Sequence, residues 1–251
     1  MADLLLRQFE VNKLARILGV EPDALKPILA SDPDTIRTFR FIVTNRLFSL
    51  HAERVAALAG LSKKVPAAIS AKIAEVAFGP ILSARVAGAL DPEDAAKMSA
   101  LLSPDFLVAV SRNLDPARVA PIIKLLPKDV IVSVGRVHLE HDDLITLARF
   151  VASVDPETAA AVIEPADGRQ LLELALYVDD RSAMDPIVAR FDDERLAATA
   201  AATHGLLGAA EEDVADAVVS LVRALGPDTR ARWKAFAGHA SPAVASALAS
   251  L

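Results

Sequence analysis

One short phrase recurs along this chain and limits what it can fold into. An apolar residue is followed by an acid or Gly, usually by Pro, and often by another acid. It reads Leu90-Asp91-Pro92-Glu93, Leu114-Asp115-Pro116, Val154-Asp155-Pro156-Glu157, Phe191-Asp192-Asp193-Glu194 and Leu225-Gly226-Pro227-Asp228. Looser copies stand at Val20-Glu21-Pro22-Asp23, Ser31-Asp32-Pro33-Asp34 and Ser103-Pro104-Asp105. Each is a helix-start signal. Asp or Ser caps orphan N–H groups, and Pro fits the first helical position, where its missing N–H would be unpaired anyway. Acids in the first turn favour the positive end of the helix dipole. The phrase therefore predicts many short helices and carries no chemistry of its own.

Composition agrees with an all-α fold. Apolar residues make up 53% of the 251 and aromatics only 4%, so the core is aliphatic, without the aromatic and β-branched runs of an all-β protein. The absence of cysteine removes disulfides, cysteine zinc sites, iron–sulfur clusters and thiol catalysis, and suits a cytoplasmic protein. Met1-Ala2-Asp3-Leu4-Leu5-Leu6-Arg7 does not read as a signal peptide, because an acid precedes a very short apolar run. No uninterrupted apolar stretch reaches the ~18 residues of a membrane span. The nearest, Ile73 to Leu90, is broken by Glu75, Gly79-Pro80 and Arg85, and reads as a buried helix pair. Net charge is −6, yet Thr35 to Lys72 holds seven basic residues (Arg37, Arg40, Arg46, Arg54, Lys63, Lys64, Lys72) against Glu53 alone. That segment is +6 and the remainder −12, which argues against general nucleic-acid binding.

Apolar spacing predicts helices nearly throughout. Val119, Ile122, Ile123 and Leu126 fall at i, i+3, i+4 and i+7, as do Val130, Ile131, Val134 and Val137. Pro121 conflicts with a straight helix from Pro116 to Leu126, so that helix either begins near Arg118 or bends. Asp115, Asp155, Asp192 and Gly226 stand 40, 37 and 34 residues apart, intervals that fit stacked helical repeats. Residues 88–251 are read as a repeat array. Residues 1–87 are read as a basic N-terminal helical subdomain, with a helix from about Ala2 to Leu18, a short one after Glu21, and a long one from Pro33 to about Leu58 that Gly60 ends.

Residues 88–140 bring a resemblance with them. Leu90-Asp-Pro-Glu-Asp-Ala-Ala96, Leu101-Leu-Ser-Pro-Asp105, Leu114-Asp-Pro-Ala-Arg-Val-Ala120 and Leu125-Leu-Pro-Lys-Asp129 resemble the superhelical repeats of the N-terminal domain of MgtE-type magnesium transporters. The similarity covers about a fifth of the chain, and the family's second domain and membrane helices have no counterpart in it. The resemblance implies a right-handed or irregular stack of short helices. It brings no metal ligands.

Two clusters stand out as candidate sites. His138, Glu140 and His141 lie beside Asp142 and Asp143, a donor set suited to zinc, iron or nickel. Their spacing matches no metal motif, and a cation ending one helix before acids that start the next accounts for them. The basic stretch Arg37, Arg40, Arg46, His51 and Arg54, interleaved with Phe39, Phe41 and Phe48, suits an anionic partner; pairing with the chain's own acidic part is the stronger reading. The acid runs 179–180, 192–194 and 211–213 are read as helix starts. No nucleophile elbow, P-loop or dinucleotide fingerprint occurs, no cofactor is implied and no catalytic set is assigned.

The first functional expectation is a non-enzymatic scaffold or adaptor that binds a protein partner or a second copy. The alternative is a binding protein or enzyme for an apolar small molecule or lipid in a cavity between helices, with Phe41, Phe48 and Phe78 along its wall.

Overall fold

A computed structural model describes residues 3–50, 52–62 and 64–251; Met1, Ala2, His51 and Lys63 lie outside the described residues. Seventeen α-helices and no strand occur among them. The first five are α1 (Leu4–Leu18), α2 (Pro33–Ser49), α3 (Ala52–Ser62), α4 (Ala67–Ile73) and α5 (Gly79–Ala87). Short helices follow: α6 (Pro92–Ser99), α7 (Pro104–Ser111), α8 (Pro116–Ile123), α9 (Lys128–Glu140), α10 (Leu144–Phe150), α11 (Pro156–Val162) and α12 (Gly168–Tyr177). The chain ends with α13 (Asp185–Val188), α14 (Asp193–Ala201), α15 (Glu211–Ala224), α16 (Pro227–Ala235) and α17 (Pro242–Ala249).

The recurring phrase starts helices throughout, and at four of its copies the acid caps by its side chain, while Glu21, Asp91 and Ser103 make no side-chain cap bond. Asp32 accepts the N–H of Thr35 at 2.9 Å, Asp115 that of Ala117 at 3.1 Å, Asp155 that of Thr158 at 3.0 Å and Asp192 that of Arg195 at 2.8 Å. Pro stands in the first turn of α2, α6, α7, α8, α11, α16 and α17. Short capped helices then stack in two layers, because each packs against the helix two places along. One layer runs α3, α5, α7, α9, α11, α13; the other runs α4, α6, α8, then α10, α12, α14. Between α8 and α10 the second layer is bridged by a single 3₁₀ turn, Val151–Ser153.

Three sequence expectations are corrected. The long helix from Pro33 is two helices, because Leu50 leaves helical geometry (φ −61°, ψ 126°); Gly60 lies inside α3 rather than ending it. Pro121 sits within α8, which starts at Pro116 and stops at Ile123, short of Leu126. The apolar stretch around Ile73–Leu90 is not a buried helix pair. It belongs to a helical run, 67–87, with a π-turn at Ala74–Phe78 and a left-handed Gly79 (φ 68°), and only 22% of its apolar window is buried.

The core is uneven. One large cluster joins α1 (Leu5, Leu6, Phe9) to α10–α17, including Leu172, Leu196, Val218, Trp233 and Leu248. Toward the N-terminal end of the array the described residues form two small clusters. One is Val55, Ala59 and Val86, packed by Leu90; the other is Ala95, Val119, Ile122 and Ile123. Residue 87 therefore marks no break in packing, since α1 lies in the C-terminal core and Leu90 in the cluster built on α3 and α5.

Candidate functional site: an apolar trough between the layers

The space that the small clusters leave unfilled is an apolar trough. One cavity of about 250 Å³ is walled by α3–α7, with Leu58, Leu61, Ile73, Phe78, Val86 and Met98 among its lining. A second, of about 160 Å³, is walled by α6–α12, with Leu126, Val134, Leu147, Phe150, Val151 and Ile163. Ser99, Leu107 and Val110 line both, so the two lie side by side at α6 and α7. Together they reach the lower end of the ~300–1,000 Å³ typical of ligand sites. No charged side chain lines either one; the polar lining consists of Ser70, Ser83, Ser99 and Ser111. Phe78 lines the trough as expected. Phe41 does not: it is 46% exposed under the Arg40 guanidinium, 4.7 Å from its ring centroid. Phe48 does not either, and Arg118 lies 5.6 Å over its ring.

Near the second cavity the residues of the metal expectation stand apart. His138 is 2% exposed, and both its ring nitrogens are engaged: Nε2 with Ser111 Oγ at 2.6 Å, Nδ1 with Asp143 Oδ2 at 3.2 Å. His141 lies outside, its Nδ1 on the Val137 carbonyl at 2.8 Å, and Glu140 is exposed. No group of three metal-ligating side chains converges among the described residues.

Ser111, His138 and Asp143 instead line up as a nucleophile, base and orienting carboxylate would. Their other contacts argue for a clamp. The Ser111 hydroxyl also meets the Val108 carbonyl at 2.8 Å. Asp143 caps α10 through Thr146 and takes ion pairs from Arg16 and from Arg112, the latter at 3.1 Å. Burial pushes the Asp143 carboxyl up, but His138, Arg16 and Thr146 outweigh it and hold the group below the usual carboxylate range. With its proton on the Val108 carbonyl, the Ser111 hydroxyl offers His138 none to abstract, and Arg16 and Arg112 already pair with the Asp143 carboxylate. The result ties α1, α7, α9 and α10 together.

The basic residues divide. Arg37 and Arg40 meet in a buried charge cluster with Glu10, Lys13 and Asp179. Arg40 Nε lies 3.1 Å from Glu10 and its Nη2 2.6 Å from Asp179; Arg37 Nε lies 3.3 Å from Glu10. Lys13, 2% exposed, sits 2.5 Å from Glu10 and 2.7 Å from Asp179. Burial pushes the Lys13 ammonium pKa down, only partly offset by its two acids. Arg46 and Arg54 are exposed and have no ion-pair partner among the described residues. Asp179, expected as a helix-start acid, is a hub of this cluster, while its neighbour Asp180 does the capping through Ser182 at 3.1 Å. Sequence reading missed Glu10 and Lys13. Their signal was an acid and a base at i, i+3 among Phe9, Val11 and Leu14, all buried.

Two polar clefts also open on the surface. One, of about 480 Å³, is bounded by Arg16, Arg112, Asp142, Asp143 and Glu173; the other, of about 350 Å³, by Asp34, Arg37 and Arg181. Most of their charges pair within the fold, as Arg169 does with Asp142 and Glu173, both at 2.9 Å. The trough is instead walled by apolar side chains around open space. Comparison with known proteins finds no matching family model, no matching curated protein and no matching solved structure.

Proposed function

We propose that the protein is a non-enzymatic binding module whose trough holds an extended apolar guest, the acyl chain of a lipid. One observation carries this reading. Where the large cluster fills the space between helices in the C-terminal half, the equivalent space between α3 and α11 is left open and aliphatic. Protein interiors are normally packed to crystal density, so unfilled apolar space of this size is costly unless something occupies it. The uncharged lining suits a hydrocarbon chain and offers nothing to a polar substrate.

A partner protein's amphipathic helix is the competing guest, and it would make the protein a scaffold or adaptor. The half-open sides of the trough favour it; the scarcity of polar rim groups favours the acyl chain. The likeness of residues 88–140 to MgtE-type repeats is a proposal about the helical stack alone, with no transport or magnesium-sensing role.

The test is calorimetry with a series of fatty acids. Affinity that climbs from octanoate to palmitate, with a negative heat-capacity change, supports an acyl guest. No heat at any chain length, together with tight binding of an amphipathic helical peptide, would overturn it.

A further inference from the structure

Apolar surface left uncovered is concentrated in one part of the chain. Nine of the fifteen exposed large apolar side chains among the described residues fall between Phe39 and Ile81. The helical run 67–87 is long and apolar enough to cross a membrane by length and composition, and it packs on α3, α6 and α7 while leaving part of its surface uncovered. Its inner side buries Ser70, Ala71 and Ala74. Its outer side carries Ile69, Ile73 and Val76 at i, i+4 and i+7, with exposures of 52%, 40% and 74%. Beyond the Gly79 turn Ile81 is 62% exposed, and Leu61 of α3 stands exposed at 57%.

The charges nearby are mostly cationic. Lys64 and Lys72 are exposed, as are Arg46 and Arg54 on the preceding helices. Two acids accompany them: Glu53 is exposed beside Arg54, and Glu75 accepts the Ser103 N–H at 2.7 Å, with Lys72 at 4.0 Å.

We propose that this face docks on an anionic lipid bilayer, with Ile69, Val76 and Ile81 at headgroup depth and Lys64 and Lys72 against lipid phosphates. Apolar insertion combined with basic residues is the pairing that gives stable peripheral binding where either alone is weak. The helix lies on the bilayer rather than across it, because the Gly79 turn and the packing on α3, α6 and α7 hold its inner side in the protein.

A second copy fits the same face less well. Stripe-to-stripe pairing brings Lys64 and Lys72 against their own equivalents. Pairing with the acidic array meets only Leu101, Leu125 and Leu207 as exposed large apolar side chains between residues 88 and 251. Leu61 and Ile73 also line the trough, so the docked face presents the trough's mouth to the bilayer. That last point rests on the acyl-chain reading; the docking stands on the surface alone.

Flotation with phosphatidylcholine vesicles, with and without phosphatidylglycerol, tests the proposal. The protein should float with the anionic vesicles and be released by salt. The double variant Lys64→Ala/Lys72→Ala should partition about 30-fold less, at ~1 kcal/mol per lysine. Val76→Asp/Ile81→Asp, at exposed positions, should abolish flotation while circular dichroism and palmitate binding are retained. Absence of flotation, equal flotation of all variants, or a concentration-dependent dimer that Val76→Asp dissolves would overturn bilayer docking. Loss of palmitate binding with flotation intact would overturn the trough reading alone.

Discussion

Arg40 reaches Asp179 across 139 residues of sequence, with Nη2 2.6 Å from Oδ1, and the contact fixes α2 to the segment after α12. Removing one partner leaves Lys13, Glu10 and the survivor mismatched inside the fold. Asp179→Asn should cost about 2–3 kcal/mol, below the ~3–5 of a fully buried pair because the Asp179 side chain is 33% exposed. Urea unfolding measures this. A loss within ~0.5 kcal/mol, as at a surface site, would make the pair incidental.

Acid should unfold the protein through the same kind of contact. Burial opposes ionisation of Asp143 and Asp179, yet His138 and Arg16 on one, and Lys13 and Arg40 on the other, pull both below the usual carboxylate range. Hydrogen bonds from Thr158 lower Asp155 as well. A folded pKa below the unfolded ~3.9 means that the folded state binds fewer protons. Stability from these groups is therefore full above about pH 4–5 and is lost as pH falls through their depressed values. Melting temperatures across pH should show that plateau and fall, and Asp143→Asn should lower the plateau and flatten the fall. A decline centred at neutral pH would contradict it.

Gly168, which opens α12, is set by close approach. A Cβ there would lie 2.2 Å from the Ala198 carbonyl oxygen of α14, so backbone must shift to admit one. Gly168→Ala should cost about 1–3 kcal/mol despite alanine's better helix propensity. Thermal unfolding decides, and an unchanged or raised Tm would mean that α12 and α14 slide apart freely.

Ile122 tests the register of the array. It is buried in the small cluster with Ala95, Val119 and Ile123. Ile122→Ala should cost about 2–3 kcal/mol, toward the lower end of large-to-small core changes because the surroundings are loosely filled. A cost below ~0.5 kcal/mol would place the residue outside the core.

Local signals carried the helices and little beyond them. Asp115, Asp155 and Asp192 cap as read, because a cap is made within three residues of its own position. The break at Leu50 was not legible: apolar periodicity continues through it, and Gly60 looked like the natural end. Long-range partners were out of reach for the same reason. His138 carried a metal-like neighbourhood in sequence, but its partners are Ser111, 27 residues back, and Asp143, whose other oxygen caps a helix. Arg37 and Arg40 were separable from Arg46 and Arg54 by helical phase, yet Asp179 looked like one more helix-start acid. The trough was least legible of all. A sequence records which residues are apolar, and only the stacking of two layers shows that those around Leu107 and Val110 fail to meet.

Leu107 lines both cavities where they lie side by side, so Leu107→Trp places an indole in the trough without adding charge. Palmitate titration of wild type and variant, with thermal unfolding alongside, tests the central claim. The account predicts that the wild type binds palmitate, that the variant binds at least tenfold more weakly, and that its Tm is equal or higher because apolar space has been filled. Palmitate binding unchanged by Leu107→Trp, or a Tm lowered as overpacking of a full core lowers it, would contradict an open trough between the layers.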